Sequence, residues 1–370
     1  MFDEYIQYDW MKWSVNGCPR AANDNRILHK HFDMPTRVWN DSSNGLVHWI
    51  ISWDTECDTD NVIDFDKLIT GLNCNNNPDH IIFVTAGELS VPNHDADRII
   101  KNHNINVMHC SESRYLFTKI TDSLRDQMEE KYAKIIKKES HKYKSLCYNG
   151  LPRAHRLIIL SHMEYTGAIN DSLHSLNAQE NYHIKNIDPL LIESPQLVYL
   201  KNKASELLTT VRYPQIEEQV EYNNGYSSFS NYFQISFEHA MESMFHIVTE
   251  TFSRHTYDDG MNSCTFITEK SYKPFVLMQP MIVYGNAYTI EALRLKGFKM
   301  FDKWIDHSYD LIEDPTERMV IFLKELDRLN NIPHVVWSEM LIEMIDDLLY
   351  NAEHMTRHYD CIDEIKSILF

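Results

Sequence analysis

Short apolar runs bounded by turn residues alternate along this chain with longer stretches whose apolar positions recur every three to four residues. Leu46–Trp53 (LVHWIISW), Ile81–Thr85 (IIFVT) and Ile105–Met108 read as buried strands, with a helix-like stretch near Asp95–Asn102 between the last two. From Ser113 to about Lys144 the period is helical. Ser145–Tyr148 is a short strand, and Gly150 and Pro152 then turn the chain into an amphipathic helix running to Met163. Phe245–Val248 is a further apolar run, ending at Glu250. Phe266–Lys270 (FITEK) opens a helix, and Met281–Tyr284 returns as a strand after Pro280. Ile290–Leu295 is a helix closed by Gly297, Val335–Tyr350 is apolar-periodic, and a last helix reaches Phe370. Residues 1–45 carry no sustained period, and residues 170–235 are polar with apolar islands. The alternation predicts an α/β protein.

The chain has 370 residues, enough for two domains with a core each, and the boundary is expected between 1–144 and 145–370, with the terminal helices packing back on the first domain. It is 43% hydrophobic and 24% charged, a globular balance, and no apolar run approaches a membrane span. Residues 1–20 lack a signal-peptide pattern, so a soluble, cytoplasmic protein without membrane contact is expected. Seven cysteines without a C-x-x-C fit reduced thiols. Only ten glycines occur, and neither a P-loop nor a G-x-G-x-x-G fingerprint is among them, so any phosphate must be held by side chains and helix ends. The net charge of −19 argues against a surface that is wholly a nucleic-acid footprint.

Candidate chemistry concentrates in three places. The first is the FITEK helix start, where Thr268 is the expected N-cap and Lys270, Ser271 and Lys273 fill the first turn. Lysines oppose the positive end of a helix dipole, so their presence asks for an anion such as a diphosphate; a solvated helix start with incidental lysines is the plainer alternative. Pro274 sits awkwardly there: either the helix is bent, or it begins near Lys273. The second is the carboxyl end of the early strands, where Asp54 and Glu88 would face a ligand crevice, unless they are ordinary strand-end acids in turns. The third is a lysine series, Lys131, Lys134, Lys138 and Lys142, spaced for one helix face, which is either a solvated face or a patch for a polyanionic acceptor such as DNA. Three D-x-D triplets (Asp58/Asp60, Asp64/Asp66, Asp95/Asp97) have metal-ligand spacing, but chance supplies roughly two in a chain this rich in Asp, and no metal site is expected.

FITEK followed by an apolar helix, Gln279-Pro280 and MIVYG resembles the donor-binding segment of the α1,3-fucosyltransferase family. VTETFS upstream is similar to that family's Phe-Glu-Asn-Ser stretch, and Leu293–Met319 resembles phage and bacterial glycosyltransferase-like proteins with the same core. The resemblance spans roughly residues 145–330. It implies a GT-B-like fold of two Rossmann-like domains facing across a cleft, the C-terminal one binding a UDP- or GDP-linked sugar. Transfer would invert the anomeric carbon and use no metal or other cofactor. It further implies that Arg153 or Arg156, with Lys270, grips the diphosphate, that Glu269 contacts ribose or sugar hydroxyls, and that Glu250 orients those groups. Thr265-Phe266 replaces the family's Asp-Tyr, so the donor need not be GDP-fucose; Arg254, His255, Asp258 and Asp259 in the preceding loop could contribute to sugar choice.

Inverting transfer needs a base for the acceptor hydroxyl, with Glu88 ahead of Asp54, and positive charge for the departing diphosphate. The acceptor is a hydroxyl on a glycan or small molecule, or a hydroxymethylated pyrimidine in phage DNA contacted through the lysine series. Two other classes are consistent with the same residues: a glycosidase using paired carboxylates, for which Glu250 and Glu269 could be taken, and a non-catalytic nucleotide-binding module of the same fold.

Overall fold

The structure is a computed structural model. It describes residues 124–149, 153–176, 195–209, 237–250 and 265–357, together with the backbone of five strands between residues 36 and 111. The chain divides into two compact units. One comprises Met1–Leu116, Glu221–Asn231 and Tyr359–Phe370, and the other Phe117–Val220 and Tyr232–His358. The division thus precedes the stretch that the sequence assigned to the end of the first domain.

In the first unit, β1 (Thr36–Asn40) pairs antiparallel with β2 (Val47–Trp53), which runs parallel to β3 (His80–Thr85), itself parallel to β5 (Asn106–Ser111). A short strand β4 (Glu88–Ser90) follows β3. The three apolar runs read from sequence are therefore strands. β1, within a stretch read as irregular, is an addition that its short TRVWN pattern did not announce.

The second unit is α/β around a parallel four-stranded sheet. Its strands are β6 (Tyr143–Cys147), β7 (Ser172–His174), β8 (Ser243–Thr249) and β10 (Met281–Tyr284), in the order β10-β8-β6-β7. β8 is buried at every position, as its unbroken apolar run requires of a central parallel strand. The connecting helices are α1 (Arg125–Ile136), α2 (Ala154–Thr166), α3 (Lys201–Thr209), α4 (Phe237–Glu242), α5 (Glu269–Val276, after the short strand β9, Thr265–Ile267), α6 (Thr289–Leu295), α7 (Pro315–Asn331), α8 (His334–Glu343) and α9 (Ile345–Arg357). The apolar run 335–350 is thus two helices. Phe245 of β8 stacks on Trp337 of α8 at 4.9 Å between centroids, and Trp337 is fully buried, so the last helices complete the core of this same unit. None of the described helices is long and apolar enough to cross a membrane.

Two helix ends matter for the sites. α6 closes on Gly297 at φ +89°, with Gly297 N–H donating to the Arg294 carbonyl at 2.8 Å and Phe298 N–H to the Leu293 carbonyl at 3.1 Å, the paired bonds of a Schellman stop. α1 closes in the same way on a non-glycine, Lys138 at φ 52°. The lysine series therefore does not share a helix face: α1 ends at Ile136, Lys138 lies in its C-terminal turn, and Lys142 precedes β6.

Lys131 is moreover fully buried. It falls on the seam of Leu124, Met128 and Ile135, and its ammonium donates to the carbonyls of Ala240 and Ser243. Burial, with help from the neighbouring Lys134 charge, pulls its pKa down to about 7. It is an internal donor for the α4–β8 junction, not a surface contact. Lys134 is half-buried, and Lys138 and Lys142 are exposed.

Candidate functional site

From β6 the chain passes to β7 on one side, and then crosses to β8 on the other. The strand order thus reverses between β6 and β8, and in open α/β sheets the crevice outside the carboxyl ends at such a reversal is where ligands bind. Asn149 and Thr249 sit there, both buried, with the Thr249 hydroxyl donating to Asn149 Oδ1 at 2.7 Å. The Asn149 N–H donates to Ser175 Oγ at 3.1 Å, which ties the exit of β7 to the same edge.

α2 begins at this point, capped by the extended backbone of Arg153 with no side-chain cap and no acid in its first turn. His155 Nε2 donates to the Glu250 carbonyl at 2.8 Å. Arg156 Nη2 donates to the carbonyls of Thr249 and Glu250, each at 3.3 Å. Burial first, and then the Arg156 charge, hold the His155 pKa well below the ordinary imidazole value. Arg156 is itself buried, bracing α2 against β8, whereas Arg153 is half-buried at the helix mouth. Of the two arginines read from sequence, Arg153 is the more exposed.

Glu250 is the centre of the edge. Fully buried, its carboxylate accepts the Thr268 N–H (3.0 Å), the Thr268 hydroxyl (2.6 Å) and the Ser271 hydroxyl. Its backbone thus holds the start of α2 and its side chain the start of α5. The close approach also explains Gly285: a methyl there would stand 2.9 Å from Thr289 Oγ1 and 3.2 Å from Glu250 Cβ. Its oxygens accept three protein donors, so Glu250 positions the two helix starts.

Thr268 is the N-cap of α5, accepting from Lys270 N–H, and the helix does begin at Glu269 with Pro274 inside it. Pro274, the sixth residue of this helix, withholds one intrahelical N–H donor, and the helix ends two residues later at Val276. Lys270 Nζ lies 2.6 Å from Glu269 Oε1 and 3.3 Å from Thr268 Oγ1. Burial would push the Glu269 carboxyl up, but the charges of Lys270 and Lys273 outweigh it and hold that pKa below the ordinary value. Lys273 is buried one turn further on. The edge therefore combines a helix start carrying Arg153 with another carrying Lys270 and Lys273, an arrangement able to hold an anion with two charged oxygen groups.

The structure thus brings Arg153, Arg156, Glu250, Thr268, Glu269, Lys270 and Lys273 to one edge. Glu88 begins β4 in the first unit, three residues beyond the end of β3. Asp54, the loop carrying Arg254, His255, Asp258 and Asp259, and the three D-x-D triplets lie outside the described residues. Among the described residues no group of three or more His, Cys, Asp or Glu is placed to hold a metal ion. Sequence reasoning missed the roles of Thr249 and His155, whose partners lie about a hundred residues away and leave no local signal. It also missed Asp310, buried, which accepts the Ile290 and Glu291 N–H groups at 3.0 and 3.1 Å and so caps α6 from a distance.

No protein-family model matches the chain, and no curated protein is significantly similar to it.

Proposed function

We propose that the chain is an inverting, metal-independent glycosyltransferase that moves a sugar from a UDP- or GDP-linked donor to a hydroxyl acceptor, its two α/β units being the Rossmann-like halves of a GT-B enzyme. One observation carries the reading: two helix starts, one bearing Arg153 and the other Lys270 and Lys273, are joined through Glu250 at the edge where the parallel strand order reverses. A nucleoside diphosphate fits such an edge, its phosphates on the cations and N–H groups and its hydroxyls within reach of Glu269. Lys270 then exchanges its bond to Glu269 for one to phosphate, which frees Glu269 to accept a ribose or sugar hydroxyl. The resemblance of FITEK and MIVYG to the fucosyltransferase donor segment supports the same assignment.

Calorimetry with UDP and GDP tests it. Lys270→Ala removes a charge-assisted contact worth roughly 1.5–3 kcal/mol, so affinity should drop more than about tenfold. Equal affinity in wild type and variant would take the donor away from this edge. The proposed base is Glu88, ahead of Asp54, so Glu88→Gln should keep nucleotide binding and lose about a hundredfold or more in transfer. Turnover at the wild-type rate would move the base to Asp54 or a histidine.

The acceptor is a hydroxyl compound, and a hydroxymethylated pyrimidine in DNA remains within the proposal with Lys134, Lys138 and Lys142 as its phosphate contacts, Lys131 having no surface to offer. Mass changes in hydroxymethylcytosine DNA, unmodified DNA and simple sugars, each offered with UDP- and GDP-sugars, decide among these acceptors.

A further inference from the structure

The corner between α1 and α8 carries hydrogen-bond donors that the protein itself does not match. α1 packs against α8, and the segment entering β6 lies against the turn from α7 to α8. There Lys144 Nζ donates to the Asn330 carbonyl at 2.6 Å and Lys144 N–H to Asp171 Oδ1 at 3.2 Å, while His334 Nε2 lies 2.9 Å from Asp171 Oδ2. His141, on the same segment, is 6% exposed, and neither of its ring nitrogens has a hydrogen-bond partner. An imidazole always carries at least one N–H, so a donor is buried there without an acceptor. The Asn330 amide nitrogen is a second buried donor without one. Burial, and then the charges of Lys131, Lys134 and His334, hold the His141 pKa down to about 3, so the field at the ring is positive.

α8 adds donors of its own. It starts on Pro333 with no side-chain cap and no acid in its first turn, and Trp337 N–H is bonded to the Pro333 carbonyl at 3.0 Å, which leaves the Val335 and Val336 N–H groups for solvent or a ligand. Lys134, half-buried, has no carboxylate within ion-pair distance among the described residues. Asp171, an acid at this corner, is already taken up by His334 and Lys144. The unmatched groups thus ask for acceptors, and the cations ask for negative charge. A neutral ligand would answer only the first need, and the two oxygens of a carboxylate are few for donors arriving from α1, from the entry to β6, from the α7–α8 turn and from α8. A tetrahedral oxyanion answers both. We propose that this corner binds a phosphate group, held by Lys134, His141, Asn330 and the N–H groups at the start of α8. The proposal does not rest on the donor-site reading, whose edge is built from other residues.

Calorimetry on the full chain with inorganic phosphate, with chloride at matched ionic strength and with a DNA oligonucleotide tests it. Lys270→Ala serves as the background, so that the donor edge does not compete for phosphate, and Lys134→Gln and Val335→Glu are added to it singly. Val335 is 66% exposed, and an acid in the first turn favours the helix while it repels an anion, so Val335→Glu keeps the test valid should Lys134→Gln fold poorly. Saturable phosphate binding is expected in the background chain, weaker by about tenfold or more with either addition. The His141 ring signals in NMR should shift along the same saturation curve. Phosphate binding no different from that of chloride, equal affinity in all three chains, or His141 signals that do not move would overturn the proposal. Binding of DNA without binding of inorganic phosphate would also overturn it, giving these cations to a nucleic-acid backbone instead.

Discussion

Glu250 shows how much structure one buried side chain can hold in place. A carboxylate after a strand, near a helix start rich in cations, has the sequence signature of a ligand contact, and a 0% exposed carboxylate with three donors from Thr268 and Ser271 has the physics of a clamp. Removing it strands the Thr268 N–H, which cannot turn towards another acceptor as a hydroxyl can. Each buried donor left unmatched costs about 1–3 kcal/mol, so Glu250→Ala should lower the urea midpoint by the equivalent of roughly 2 kcal/mol or more, and Glu250→Gln by less. A wild-type midpoint for Glu250→Ala would show that the clamp is not holding the edge. At this scale the sequence was legible where chemistry is local, as in Thr268 capping its own helix. It was opaque where a bond spans the chain, as from Thr249 to Asn149.

Among elements, helices were legible in their existence and poorly legible in their ends. The lysine series of α1 illustrates why. A three- and four-residue spacing defines a face only while the helix lasts, and the left-handed Lys138 ends it at Ile136. Lys131 keeps seven-residue register with Leu124, on the side that packs, and Met128 and Ile135 complete that side; its periodicity was that of the core. Gly297, in contrast, was a correct stop for α6, because a glycine after a periodic run has a conformational reason to be there. Gly297→Ala would force an L side chain into φ +89° and set its methyl 2.9 Å from His354 Nε2, which is itself bonded to the Lys296 carbonyl at 2.7 Å. The variant should lose roughly 1–2 kcal/mol, read as a lower thermal midpoint; an unchanged midpoint would mean the turn relaxes freely.

Across the whole second unit, acid should be the more damaging direction. Burial holds His141 and His246 down to about 3, His141 aided by the charges of Lys131, Lys134 and His334, and His246 by that of Lys273. His155, His174 and His307 are lowered as well, burial being the largest cause in each. A histidine whose folded pKa lies below its unfolded value of 6.5 binds its proton preferentially in the unfolded chain, so stability is intact above 6.5 and drains as pH falls towards 3. Asp310 works the other way, since burial raises it from 3.8 to about 6 and its share grows as pH falls through that range. Five histidines against one aspartate set the expected sign: thermal midpoints should decline steadily below pH 6.5, and a midpoint rising on acidification would contradict it. The α/β class of this unit was readable from alternating apolar runs, but the sheet order was not, because β7 is only three residues long and β8 follows it after a long polar stretch. The reversal between β6 and β8 became visible only with that order. The close approach at Gly285 bears finally on how such a chain can drift over generations. Residues 250, 268, 271 and 285 answer to one carboxylate, so the hydroxyls could be surrendered only along with the acid, and a methyl could enter at 285 only after its neighbours had made room for it.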